Sequence, residues 1–264
     1  MPTLSELRNE YQTLFDSCAI RTEKRAVVQT LTTQLLGNKE RYRSVERQTD
    51  VPWYVIAVIH NMESSQRFTK HLHNGDPLTA RTVQVPAGRP VDGNPPFTWE
   101  VSAIDAVVFD KLDTVEDWTI PGALFALEKF NGFGSRSRGI KTPYLWSFSN
   151  HYSKGKFIGD NVFDPNAVSQ QCGAAVLLKR MTAINAIEVP VSVIPSTASE
   201  IATLGAAVTF SRNKKTIEAV RLQKALNRFP GAAMKLTVDG VAGGNTSDAF
   251  RAVTGHLLSG DPRQ

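Results

Sequence analysis

The chain has 264 residues, of which 41% are hydrophobic and 21% charged, and a formal net charge of +5. These are ordinary globular values, which exclude a chain too polar to build a core and suit one large domain or two ordinary ones. No window approaches the roughly 18 to 20 apolar residues of a membrane span, so no stable membrane insertion is expected. The amino terminus, MPTLSELRNEYQTLF, lacks the basic-then-apolar order of a secretory signal. Synthesis is therefore expected to finish in the cytoplasm, and any substrate outside the membrane must be reached by release or export. The positive balance favours polyanions in general, whether nucleic acid, an anionic membrane or a carboxylate-rich wall. No basic run exceeds short groups such as Arg212 to Lys215. Two cysteines, Cys18 and Cys172, sit among small or apolar neighbours and read as buried free thiols.

In chain order, Leu4, Leu7, Tyr11 and Leu14 recur at helical spacing. Val28, Leu31 and Leu35 do the same behind a Thr22 cap, and Tyr42 and Val45 mark a polar helix. In VPWYVIAVIHNMESS, Pro52 suits a first helical position, and Trp53 to Met62 leave almost no polar face, the pattern of a buried central helix. From His71 to Pro96 Gly and Pro punctuate an irregular lobe, with TVQV a short strand. Thr98 caps a helix through WEVSAIDAVVFDKL, and Pro121 to Phe130 forms another. A long aromatic loop follows, then a helix from Val168 to Met181. Residues 183–210, poor in charge, read as a linker. Beyond it, Lys214 to Phe229 and Asn245 to Leu258 are predicted helices flanking a turn, enough for a small second domain.

Glu63 ends the apolar helix. Apolar neighbours and the negative end of the helix dipole both disfavour an ionised carboxyl there. A carboxylic acid still protonated near neutral pH is what glycosidic cleavage needs at the leaving oxygen. The bland alternative is a solvated helix end. His60, His71 and His73 show no ligand spacing typical of zinc sites, so neither metal nor cofactor is expected. No nucleophile-elbow motif surrounds any serine.

The segment IAVIHNMESS at Ile56 to Ser65 resembles the catalytic motif of the lysozyme-like superfamily, in which an apolar helix runs into Glu-Ser. KFNGFG at Lys129 to Gly134 resembles the Tyr-Asn-Ala-Gly-Pro-Gly motif of soluble lytic transglycosylases, with Phe130 in place of Tyr and one residue fewer in the glycine part. The resemblance spans roughly residues 51–181. It implies a mainly α fold with a small irregular or β lobe, a catalytic domain over 1–182, and Glu63 as general acid on peptidoglycan strands. The resemblance makes Asn131 a substrate-positioning residue. Phe133, Tyr144, Trp146 and Tyr152 offer flat faces for sugar rings, and Ser149 and Asn150 offer hydrogen bonds. The alternative is local packing of the loop.

An inverting hydrolase needs a second carboxylate roughly 6.5 to 9.5 Å from the first. Asp76, in the turn HNGDP, is the first candidate, followed by Asp92 and Glu100. Asp76 also reads as ordinary turn chemistry, and Glu100 as a first-turn helix acid. A lytic transglycosylase needs no such base. Residues 211–264 resemble the peptidoglycan-binding domain of wall hydrolases through Leu222-Gln223, Leu226, Asp239, Gly240, Gly243 and Thr246. Ala219 departs from the usual Val. The expectation is a monomeric muramidase of endolysin type that binds no nucleic acid and cuts the bond between N-acetylmuramic acid and N-acetylglucosamine. The alternatives are a lytic transglycosylase, a non-catalytic wall-binding protein and a chitinase-like glycosidase.

Overall fold

The structure, a computed structural model, describes residues 2–159, 161–190, 198–229 and 235–264. The chain is mainly helical with one two-stranded sheet among the described residues. It divides into two compact units, Met1–Pro190 and Val191–Gln264.

The first unit contains α1 (Leu4–Asp16), α2 (Arg25–Gly37), α3 (Lys39–Thr49), α4 (Trp53–Ser64), α5 (Trp99–Phe109), α6 (Ile120–Asn131), α7 (Pro143–Trp146), β1 (Lys156–Gly159), β2 (Val162–Asp164) and α8 (Ala174–Ala183). The core forms around α4. Every residue of that helix except Glu63 is buried. Each fully buried aliphatic side chain contributes about 1.5–3 kcal/mol, so Val55, Ile56, Val58 and Ile59 hold α4 far more strongly than helix propensity does. Helices α3, α6 and α8 pack against it, while α1 rests on α6 and α2 on α8. Pro52 caps α4 from outside rather than occupying its first turn. Two consecutive left-handed residues, Ser65 and Gln66, end the helix and turn both amides back to the His60 carbonyl.

Two local expectations are corrected. TVQV forms no strand; Val83 and Val85 project into solvent. The lobe is organised by side chain to backbone bonds instead, because its Gly and Pro residues interrupt any ladder. His71 joins it to α5 by bonding Ser102 Oγ at 2.8 Å and the Ala80 carbonyl at 2.8 Å. His73 and Arg89 both bond Asp105 of α5. The hairpin lies at β1 and β2, antiparallel, just after the expected aromatic loop of residues 130–152. The last helix of this unit starts at Ala174 rather than Val168. Residues before Gly173 run as irregular chain, and Gln171 reaches the end of α4 from there.

The second unit comprises α9 (Ala198–Ala206), α10 (Ile217–Arg228) and α11 (Gly244–Thr254) around Ile201, Leu222, Leu226, Phe250 and Leu258. Helix α9 corrects part of the linker expected over 183–210, of which 191–197 lie outside the described residues. The stretch is poor in charge because α9 packs on α10 and α11, with Ile201 buried. A Cβ at Gly205 would lie 2.1 Å from the Phe250 ring, so only glycine lets these helices meet. At the other edge of the linker, Ile187 is buried in the core of the first unit.

Candidate functional site

Glu63 is the one residue of α4 that reaches solvent, and it stands at the helix's carboxyl end. Burial pushes its pKa up to about 7. A hydrogen bond donated by Tyr144 Oη to Glu63 Oε1 at 3.1 Å pulls it down, and the charge of Asp110 raises it again. The Tyr144 pKa is driven well above 10 by burial and by Glu63, so the phenol remains a donor. Glu63 is thus half protonated near neutral pH, the balance at which a group serves as a general acid.

The surroundings are built to hold that carboxyl. Thr142 caps α7 and fixes Tyr144. Gln171 Nε2 bonds the carbonyls of Asn61, at 3.3 Å, and Met62, which satisfies acceptors left over at the end of α4. Gly75, with φ +78°, packs on the Glu63 backbone, where a Cβ would come within 2.8 Å of the carbonyl oxygen. A cleft of about 190 Å³ opens beside Met62 and Tyr144, lined also by Asn131, Ser135, Phe157 and Gln171. Asn131 is exposed at the end of α6. Phe157 presents a partly exposed ring on the hairpin.

Tyr144 bonds Glu63 and shares the lining of the cleft with Asn131, whereas Phe133, Trp146, Asp76 and Asp92 do not line it. Trp146 is a core residue, 1% exposed, with its ring edge-on to His151. Phe133 packs on Phe125 with ring centroids 5.6 Å apart. Tyr152 and Ser149 are buried, and Asn150 bonds the backbone of Ala19 and Ser17. The aromatic loop mostly supplies packing rather than sugar-facing rings.

Asp76 is corrected from base to turn former. Its Oδ2 accepts from the backbone amides of Val83 at 2.8 Å and Gln84 at 3.0 Å. Burial alone would raise its pKa, but those two bonds, with Asn74 and His71, hold it below the usual aspartate value. A carboxylate so engaged is a weak base. Glu100, in the first turn of α5, makes a two-bond pair with Arg41 at 2.6 and 3.1 Å. Asp92 is exposed on the loop. The carboxylate that acts on both Glu63 and Tyr144 is Asp110, at the end of α5, whose own pKa is raised by burial. Asp110, Gln171 and Phe157 were not anticipated. Only Phe157 had a signal: Gly159 to Asn161 between two apolar pairs is a hairpin pattern.

In the second unit the residues that resemble a wall-binding motif form one hydrogen-bond knot. Gln223 Nε2 lies 2.9 Å from Asp239 Oδ1, 3.1 Å from the Val241 carbonyl and 3.1 Å from Thr246 Oγ1. Its Oε1 accepts from the Gly240 amide at 2.9 Å. These bonds tie α10 to the turn at Asp239 and to α11.

Comparison with protein-family models, with curated proteins and with solved structures finds no match in any of the three.

Proposed function

We propose that the first unit cleaves the glycan strands of peptidoglycan between N-acetylmuramic acid and N-acetylglucosamine, with Glu63 as general acid, and that the second unit binds the wall. The observation that carries this reading is the Glu63 carboxyl. It is the single opening of an otherwise buried helix, its pKa is about 7, a phenol donor bonds it, and that phenol and the preceding Met62 line a cleft. In the glycosidic reaction the protonated carboxyl gives its proton to the leaving oxygen as the bond to the anomeric carbon breaks. Tyr144 then stabilises the carboxylate that remains. Asn131, Phe157 and Gln171 border the space in which the sugars would lie.

The engagement of Asp76 and Glu100 favours a single-acid route, in which the muramic 6-hydroxyl closes an anhydro ring. Hydrolysis is the second reading, for which Asp110, whose charge raises the Glu63 pKa, is the candidate second carboxylate. Mass spectrometry of muropeptides released from purified sacculi tests both. Anhydro ends support the first route, reducing muramic ends support the second, and absence of any released glycan refutes cleavage.

A further inference from the structure

A second cavity, of about 560 Å³, opens between the start of α2 and the end of α8. Its charge is one-sided. Arg25, Lys179 and Arg180 line it, and no carboxylate does so among the described residues. The walls between them are apolar, with Cys18, Ile20 and three alanines.

The three cations are only partly engaged within the protein. Lys179 Nζ bonds the carbonyls of Phe15 at 2.9 Å and Asp16 at 3.2 Å, at the negative end of α1. That contact fixes the ammonium without neutralising it. Arg180 turns Nε and Nη2 onto one neutral oxygen, Gln29 Oε1, at 2.9 and 2.5 Å. A guanidinium has five N–H donors, so most of this one's capacity is left over. Arg25 is exposed and makes no ion pair among the described residues. Three positive residues lining one cavity, with neutral or backbone partners, repel one another, and an anion between them reduces that repulsion.

We propose that this cavity binds a small organic phosphate. A phosphate monoester carries close to two charges and three terminal oxygens, which two guanidinium forks and an ammonium can share. The apolar wall formed by Cys18 and Ile20 suits a hydrocarbon body on the ester. The site is separate from Glu63 and uses none of the residues around it, so it stands whatever reaction the cleft performs.

The test is a titration of the full chain with n-butyl phosphate, followed by amide NMR. Saturable shifts are expected at Ala19, Ala26, Gln29 and Ala183. Two substitutions at exposed positions probe the charge. Arg25→Ala removes one cation, and Gln29→Glu places a competing carboxylate on Arg180. Each should weaken binding about tenfold, the usual cost of losing a charge-assisted contact. Vesicles containing phosphatidic acid, whose head group is itself a phosphate monoester, form a parallel arm. Sedimentation with vesicles that is lost in both variants assigns the phosphate to a lipid head group. Butyl phosphate binding without sedimentation assigns it to a soluble ester. Absence of saturable shifts at the cavity, or shifts unchanged by both substitutions, would overturn the proposal.

Discussion

The Tyr144 hydroxyl donates to Glu63 Oε1 at 3.1 Å across the end of α4, and this bond opposes the burial that raises the Glu63 pKa. Removing it therefore has a definite sign. In Tyr144→Phe the carboxylate loses a donor and the pKa should rise further. A hydrogen bond to a charged group is worth about 1.5–3 kcal/mol, and one pKa unit is about 1.4 kcal/mol, so the alkaline limb of activity should move up by about one to two units. A pH–rate profile on sacculi measures it. A limb that stays in place or moves down would show that Tyr144 does not set the acid's pKa.

Asp110 acts in the opposite sense. Its negative charge raises the Glu63 pKa, so Asp110→Asn should move the alkaline limb down. The same variant separates the two chemical routes. If Asp110 activates water, turnover should fall by roughly 10² to 10⁴. If an anhydro ring forms instead, turnover at pH 5 should remain near that of the wild type.

Glu63 also links stability to pH. Its folded pKa, about 7, lies above the ordinary value of 4.5. A raised carboxyl contributes stability below the unfolded pKa and loses it as pH rises through the folded one, so the window is pH 4.5 to 7. The ionised carboxyl then costs on the order of 3 kcal/mol at most. Glu63→Gln should melt close to the wild type at pH 4 and several degrees higher at pH 8. Equal melting temperatures at both pH values would show that the carboxyl is not desolvated.

Asp76 supports the lobe between α4 and α5. Asp76→Ala leaves the Val83 and Gln84 amides without their acceptor and should cost roughly 1–3 kcal/mol. Because the folded Asp76 pKa is depressed, its contribution exists above the unfolded pKa and fades as the solution is acidified. Thermal melts at pH 7 and pH 3 should show a larger gap from wild type at pH 7. Abolished activity with an unchanged melting temperature would return Asp76 to the chemistry.

In the second unit, Gln223 ties α10 to the Asp239 turn and to α11. Gln223→Leu should unfold a fragment of residues 191–264, as circular dichroism would register, since four partners, two of them buried (Gly240 and Thr246), lose their bonds at once. The unsubstituted fragment should sediment with sacculi. A folded fragment that stays in solution would remove the wall-binding reading.

The elements most legible in the sequence were those with local, periodic causes. Helix α4 has apolar residues on every side, so its burial and the isolation of Glu63 at its end followed from the residues alone. Asn131, named from the Lys129 to Gly134 segment, and Tyr144, named from the aromatic loop, line one cleft. Asp110 and Gln171 were not anticipated, because their importance lies in contacts across the chain: Gln171 meets the end of α4 from over a hundred residues away. Trp146 and Phe133 misled for the converse reason. An aromatic in a glycine-rich loop has the same composition signal whether it faces a cleft or the core, and here Trp146 is buried and Phe133 packs, partly buried, on Phe125. Helix α9 was missed because a short helix with only Ile201, Leu204 and Gly205 on its packed face, and Ala and Thr exposed, looks like a low-charge linker.

The central claim is that Glu63 donates the proton that breaks a glycosidic bond. The most direct measurement is the release of muropeptides from purified sacculi by wild type and by Glu63→Gln, with both proteins shown to be folded by circular dichroism. The wild type should release glycan fragments, with a rate that falls as pH rises through about 7. The variant should be slower by roughly 10² to 10⁴, while still sedimenting with the sacculi. Release by folded Glu63→Gln at the wild-type rate would contradict the claim.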